Sequence, residues 1–75
     1  MATRRLPPLR ALEAFVRTVR LGSARAAADE LGLSPSALSR RIGNLEEFVG
    51  KKLFTRARQS MKLTDDGHAF FEAVN

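Results

Sequence analysis

A chain of 75 residues is long enough for one domain and buries only about 60% of the surface that its unfolded state exposes. The sequence contains no cysteine, which excludes disulfides and thiolate metal sites, and its single histidine, His68, has no evident partners with which to build a metal site. Because no apolar run approaches the roughly 20 residues of a membrane span and no secretory signal follows the N-terminal arginines, we predict a cytoplasmic protein without a membrane partner.

Positive charge is concentrated in the middle of the chain. The formal net charge is +5. Residues 1–33 carry a net +3, residues 34–62 a net +5, and residues 63–75 a net −3. A basic region of this kind favours a polyanionic partner, because binding releases the counterions condensed on that partner. Composition by itself leaves open the plainer interpretation that the excess charge only keeps the surface solvated.

The chain opens with a basic arm over residues 1–6, and a first helix is predicted from about Pro8 to Leu21. Proline fits the first turn of a helix but not its interior. Gly22 is a suitable residue for the helix exit. Apolar residues recur at helical spacing along this segment, namely Leu9, Leu12, Val16 and Val19, with Phe15 beside them.

Two further helices separated by a tight turn are predicted next. Ser23 can cap a helix over residues 24–31, and Gly32 can end it with a positive φ. Ser34 followed by Pro35 is a strong start signal, because serine caps a helix and proline fits its first position. A helix, a tight turn and a second helix are typical of a helix-turn-helix, whose second helix enters the DNA major groove.

The third predicted helix, from Pro35 to about Val49, has two contrasting faces. Small residues let a helix lie deep in a groove, and an arginine can reach base edges there. The stripe expected to pack inward consists of Leu38, Ile42, Leu45 and Val49, with Phe48 alongside. The contrasting face consists of Ser36, Ser39, Arg40 and Gly43. This separation predicts a recognition helix.

Beyond Gly50, which is expected to end the third helix, the pattern changes. Residues 53–56 and 61–63 form two short runs around a polar tip at residues 57–60. They predict a two-stranded hairpin, although the tip lacks the Asn-Gly or Asp-Gly pair of common two-residue turns. An isolated hairpin is unstable in water, so we expect this one to pack on the helices.

A fourth helix is predicted from Thr64, whose side chain can cap it. Asp65 and Asp66 would then lie at the positive end of the helix dipole. The rest of this helix is apolar, with Ala69, Phe70, Phe71 and Val74. The predicted fold is therefore mainly α: a winged helix-turn-helix of three helices, a two-stranded hairpin wing and the start of a fourth, linker helix.

At this point the sequence resembles the N-terminal DNA-binding domain of LysR-type transcriptional regulators, from Leu9 to about Phe71. Each matching piece is common, but their combination in this order is highly specific. The matching positions are Leu9-Arg-Ala-Leu-Glu-Ala-Phe15, Gly22-Ser23, Ala27-Ala28, Leu31, Ser34, Ala37-Leu-Ser-Arg40, Ile42, Leu45-Glu-Glu47, Gly50, Leu53-Phe54, Arg56, Leu63-Thr64 and Gly67.

The resemblance implies sequence-specific binding of double-stranded DNA in bacterial transcription regulation. Residues 35–49 are expected in the major groove, with residues 52–63 as a wing in or near the minor groove. The DNA-binding domain would span residues 1–63, and residues 64–75 would start a dimerising linker helix, so we expect a homodimer on a pseudo-palindromic operator at the nucleoid. The family senses a small-molecule effector through a C-terminal domain that we expect to be absent here, and no cofactor is implied.

Three departures from the family pattern bear on DNA reading. The glutamine usual after the capping serine is Pro35, which cannot form the two hydrogen bonds with which glutamine reads adenine. Gly43 in a helix interior costs up to about 1 kcal/mol relative to alanine. The tip lacks the glycine-flanked arginine common in the family, so the candidate minor-groove residue is Arg58.

The candidates for base contacts are Pro35, Ser36, Ser39 and Arg40. Arginine can bind guanine in a bidentate way, worth about 1–3 kcal/mol of discrimination, whereas serine accepts several bases. For Pro35, a contact with a thymine methyl and a purely structural role as helix starter both stay open. Contacts of the DNA backbone or the wing are assigned to Ser23, Arg25, Ser34, Arg41, Arg56, Arg58, Gln59 and Lys62. A plain surface charge is the alternative for each basic member of that set.

The apolar residues Phe70, Phe71 and Val74 are assigned to a dimer contact through the fourth helix. Successive residues on a helix point about 100° apart, so we expect one phenylalanine to pack inward and not both. His68 is interpreted as a surface or capping residue. Glu46 and Glu47 are assigned no function.

A protein-interaction module is the main alternative, since one fold hosts many functions. The apolar fourth helix and the missing glutamine favour it. Arginine among small residues fits it less well, because interface cores favour aromatic anchors. An enzyme is not expected, because the sequence shows no nucleophile–base pair, phosphate loop or metal cluster.

Overall fold

The computed structural model describes residues 8–57 and 60–74, with the backbone alone at residues 56, 57, 60 and 61. Within these ranges, four helices and a two-stranded antiparallel sheet occur in an order that confirms the predicted, mainly α winged helix-turn-helix. The elements are α1 (Leu9–Leu21), α2 (Ala24–Leu31), α3 (Pro35–Val49), β1 (Phe54–Ala57), β2 (Ser60–Leu63) and α4 (Asp65–Val74).

The turn between α2 and α3 is built as the sequence predicts. Gly32 adopts a φ of 69°, in the left-handed region that favours glycine. This conformation lets the N–H of Leu33 donate to the carbonyl of Ala28 at 2.8 Å. The Ser34 hydroxyl then accepts the N–H of Ala37 at 3.1 Å and starts α3. Local chemistry therefore fixes where α3 begins.

The first helix begins at Leu9, one residue later than the sequence predicts. Pro8 has an extended backbone, with φ −65° and ψ 120°, and stands before the helix as its N-terminal cap residue. Its carbonyl accepts the N–H of Leu12 at 2.9 Å, so it still supplies the first helical acceptor. The fixed φ of proline suits both the cap position and the first helical position, and only the value of ψ distinguishes the two.

The core lies where α1, α2 and α3 meet under the hairpin. Phe15 of α1 is fully buried at its centre. The small side chains of Ala27 and Ala28 are also buried and allow α2 to approach its neighbours closely. The buried apolar residues are Ala11, Ala14, Phe15, Ala27, Ala28, Leu38, Ile42, Leu45, Leu53 and Phe54. The predicted inward stripe of α3 is thus buried through its first three members.

The hairpin is confirmed, but its strands reach further toward the tip than predicted. The antiparallel pairs are Phe54 with Leu63, Thr55 with Lys62, Arg56 with Met61, and Ala57 with Ser60. Residues 57 and 60 were expected in the tip and instead form the last backbone pair of the ladder. Arg58 and Gln59 lie outside the described residues.

The two phenylalanines of α4 both contact the core, which corrects the expectation that only one packs inward. The ring centroid of Phe15 lies 5.4 Å from that of Phe70 and 6.2 Å from that of Phe71, in edge-to-face geometry. Phe54 adds a third ring at 5.5 Å. A single large ring between two successive residues can touch both, so their 100° separation does not force one of them outward.

Candidate nucleic-acid interface

The N-terminal half of α3 presents a polar, basic surface to solvent. Pro35, Ser36 and Arg40 are exposed, and Ser39 is half-buried. On the opposite side of the same helix, Leu38 and other members of the apolar stripe are buried. The burial pattern thus brings all four predicted base-contacting residues to the first two turns of one helix.

Arg40 has the longest side chain on this surface and carries a full positive charge. Among the described residues, it forms no ion pair. The first turn of α3 contains no acidic residue. The exposed Glu47 lies two turns further along the helix. A guanidinium outside an ion pair can offer its fork of donors to a phosphate or a guanine.

Two serines of the predicted backbone-contact set cap helices and remain able to donate a hydrogen bond. The hydroxyl of Ser23 accepts the N–H of Ala26 at 3.1 Å at the start of α2, as Ser34 does at the start of α3. A hydroxyl that accepts in this way keeps its own proton for a further acceptor, such as a phosphate oxygen. Arg25, in the first turn of α2, is exposed, and Arg41 of α3 is half-buried.

The wing contributes one described cation to the predicted backbone contacts. Lys62 of β2 is exposed opposite Thr55, whose hydroxyl donates to the carbonyl of Lys62 at 3.3 Å. The backbone of Arg56 lies in β1. Its side chain, and both Arg58 and Gln59, fall outside what the structure describes, so their assignment to DNA stays a prediction.

Glu46, to which the sequence assigned no function, is buried at the junction between α3 and the wing. This residue is only 7% exposed. One carboxylate oxygen, Oε2, accepts the N–H of Leu53 at 2.8 Å and the N–H of Phe54 at 3.2 Å. The sequence did contain a signal: Glu46 follows Ile42 by four residues and so lies on the buried stripe, where a carboxylate must find partners.

The residues assigned to a dimer contact lie on one helix next to the core. Phe70 and Phe71 are half-buried against it, and Val74 is 37% exposed. His68 is exposed. Its N–H donates to the carbonyl of Thr64 at 2.9 Å, within the first turn of α4.

The described residues offer neither a metal site nor a membrane helix. No group of three or more candidate metal ligands occurs among them. In the same part of the chain, no helix is long and apolar enough to cross a membrane.

Comparison with known protein families identifies this architecture. Residues 9–68 match the model of the bacterial regulatory helix-turn-helix proteins of the lysR family. The chain belongs to the LysR family. Membership confirms the resemblance that the sequence showed, and the family is one of bacterial regulatory helix-turn-helix proteins.

Curated relatives are considerably longer than this chain. The glycine cleavage system transcriptional activator of Escherichia coli K12 is 44% identical over 69 residues, which are 92% of this chain and 23% of that protein. The HTH-type transcriptional activator BauR of Pseudomonas aeruginosa is 42% identical over 66 residues, or 88% of this chain and 22% of that protein. The chain thus spans about a quarter of the length of the relatives it matches.

Solved structures of LysR-type domains bound to DNA share the fold. A crystal structure of a BenM DBD with benA site 1 DNA has a TM-score of 0.78 and 41% identity, covering 88% of this chain and 77% of that one. A CbnR DBD–DNA complex has a TM-score of 0.81 and 33% identity, covering 88% and 76%. These similarities concern the same part of the chain that carries the exposed start of α3.

Proposed function

We propose that this domain binds a specific double-stranded DNA operator with the start of α3 in the major groove and the wing against the neighbouring backbone or minor groove. The observation that carries the proposal is the division of α3 into a buried apolar face and an exposed face with Arg40. Such a regulator acts in the bacterial cytoplasm, where it is associated with the nucleoid.

The dimensions and charge of the domain support this docking. An α-helix with side chains is about 10–12 Å wide, and the major groove is about 12 Å wide. Ser36 and Ser39 on the exposed turns of α3 are small and let the backbone approach the base edges. Arg40 would read guanine through two hydrogen bonds. Arg25, Arg41 and Lys62, together with the two capping serines, would fix the register by contacting phosphates.

The test of base reading combines selection of bound sequences from random DNA with substitutions of Arg40. We expect Arg40→Ala to lose about 1–3 kcal/mol of discrimination at one base position. Arg40→Lys is the matched control because it keeps the charge and removes the planar fork. It should retain the salt dependence of binding while losing the same base preference. If both variants keep the preference of the original chain, Arg40 does not read a base.

The selection also tests the function itself. A specific DNA ligand should emerge whose affinity falls steeply with salt, because several phosphates are neutralised. Failure of any sequence to be enriched at physiological salt would contradict DNA recognition by this domain. The protein-interaction alternative would then be favoured.

We further propose that the domain binds its operator as a homodimer joined through α4. Phe70 and Phe71 cover only part of their surface on the core, and Val74 is exposed beside them. Two-fold symmetry would place the two recognition helices about 34 Å apart, or a multiple of that distance, on a pseudo-palindromic site.

Sedimentation of the chain without DNA, compared with its Val74→Glu variant, measures this association. We expect a concentration-dependent dimer that the buried carboxylate of the variant weakens. A monomer at all concentrations, together with a selected site lacking two-fold symmetry, would contradict the dimer.

A further inference from the structure

The buried carboxylate of Glu46 joins the recognition helix to the wing. Its Oε2 atom holds the backbone N–H groups of Leu53 and Phe54, at 2.8 and 3.2 Å. Its main-chain carbonyl also accepts the N–H groups of Gly50 and Lys51, at 2.7 and 3.2 Å. A single residue of α3 therefore closes the helix end through its backbone and anchors the start of β1 through its side chain.

The same junction continues into α4. The carbonyl of Leu53 accepts the N–H of Thr64 at 3.0 Å, and the carbonyl of Lys52 accepts the Thr64 hydroxyl at 2.6 Å. That hydroxyl in turn accepts the N–H of Gly67 at 2.9 Å and so caps α4. An unbroken series of hydrogen bonds runs from Glu46 through the base of the wing to the start of α4.

Gly67 shows how closely these elements approach. A Cβ atom at this position would lie 2.1 Å from the carbonyl oxygen of Leu53 and 2.8 Å from Cδ2 of Leu63. The absence of a side chain therefore allows α4 to pack against the backbone at the base of the hairpin. The junction is a tight arrangement with little freedom to shift.

Directional contacts matter here because the side chains that anchor the wing in the core are apolar. Leu53 is fully buried and Phe54 is 5% exposed, and both belong to the core. Apolar packing is not directional, so it holds the hairpin down without fixing its angle. In contrast, two successive N–H groups that donate charge-assisted hydrogen bonds to one carboxylate oxygen fix the direction of the backbone that carries them. Lys62 of the wing is exposed and belongs to the strand that pairs with this backbone.

We infer that Glu46 is a positioning residue for DNA binding: it sets the angle of the wing relative to the recognition helix, so that both contact one operator. Thr64 extends the same constraint to α4. The inference rests on the proposed DNA-binding function and adds to it a residue that does not touch DNA. Loss of the Glu46 contact should remove the contribution of the wing while base reading by α3 survives.

The experiment measures DNA affinity as a function of salt for Glu46→Ala and for Glu47→Ala. The two variants lose the same charge one residue apart, but Glu47 is exposed and Glu46 is buried. Glu47→Ala should keep or slightly raise the affinity, since it only removes a negative charge near DNA. Glu46→Ala should bind DNA about tenfold more weakly than Glu47→Ala. This is the effect expected when the wing loses one charge-assisted contact with DNA.

Two further readouts separate positioning from general damage to the fold. The logarithm of the binding constant falls linearly with the logarithm of the salt concentration, and each phosphate contact contributes about 0.9 to the steepness of this slope. For Glu46→Ala the slope should become less steep by about one. The base preference of this variant in a selection experiment should stay that of the original chain. In a footprinting experiment, protection of the DNA backbone from cleavage should be lost only at the positions under the wing. Equal affinity, slope and footprint for the Glu46 and Glu47 variants would overturn the inference.

A second pair of variants keeps the test decisive if Glu46→Ala unfolds. Thr64→Val removes the hydroxyl that binds both Lys52 and Gly67, whereas Thr64→Ser retains it. The valine variant should show the same loss of slope, and the serine variant should restore it. Thr64→Val with an unchanged slope and footprint would overturn the inference. If the original chain itself shows no specific binding, the proposed function fails first.

Discussion

The helix-turn-helix and the wing are both proposed to contact DNA, but different forces hold them in place. Leu38, Ile42 and Leu45 anchor α3 in the core with at most 1% of their surface exposed. The wing and α4 are anchored by Leu53 and Phe54, but also by the polar series from Glu46 to Gly67. Apolar burial contributes more free energy, whereas hydrogen bonds contribute direction.

This difference indicates which property of the domain each region controls. Substitutions in the helix core should change the free energy of unfolding. Substitutions in the polar junction should change how the wing is presented, with a smaller loss of stability. Four substitutions test this division, beginning with the largest expected effect.

Phe15→Ala should be the most damaging core substitution. Phe15 is fully buried and its ring contacts Phe54, Phe70 and Phe71. Truncation of a buried phenylalanine costs about 3–5 kcal/mol, which is most of the stability of a small domain. Urea unfolding followed by circular dichroism measures the loss.

Leu9→Ala is the control for this substitution, because Leu9 is 79% exposed on the same helix. Its free energy of unfolding should change by less than about 0.5 kcal/mol. Equal losses for the two variants would contradict the assignment of Phe15 to the centre of the core.

Gly67→Ala should destabilise the junction by about 1–3 kcal/mol. The added Cβ would lie 2.1 Å from the Leu53 carbonyl oxygen, so the backbone must move. The same methyl group normally favours a helix, which makes a loss at this position diagnostic. Thermal unfolding measures it, and a gain in stability would show that the junction is looser than the structure indicates.

Ser34→Ala should cost about 1 kcal/mol by removing the cap of α3. The Ser34 hydroxyl accepts the N–H of Ala37 at 3.1 Å, and alanine cannot replace it. Ser34→Asp, which can also cap a helix, should recover the stability. If urea unfolding gives the same midpoint for all three chains, the cap contributes nothing measurable.

Gly43→Ala should have the smallest effect and the opposite sign. A Cβ at this helical position meets nothing within 4 Å among the described atoms, so alanine should stabilise the domain by about 0.5–1 kcal/mol. The comparison with Gly67→Ala therefore separates helix propensity from steric contact. A destabilised Gly43→Ala variant in thermal unfolding would contradict the open space on this face of α3.

Local sequence signals predicted the helices and their ends well, because each signal acts over a few residues. The capping serines, the glycine with a φ of 69° and the apolar stripe of α3 need no information from distant parts of the chain. The exposed set Pro35, Ser36 and Arg40 followed from the same periodicity. The hairpin was also predicted, but its tip was drawn two residues too long, since pairing between strands decides that boundary.

The sequence by itself determined that a basic helix-turn-helix forms and which face of α3 meets solvent, because helical periodicity and capping are encoded in near neighbours. Only the tertiary structure decided that Phe70 and Phe71 both reach Phe15 and that Gly67 admits the Leu53 carbonyl. It also decided the partners of the Glu46 carboxylate, which lie seven and eight residues away at the start of the wing. Such contacts depend on how the elements pack together, and no local pattern of residues specifies that packing.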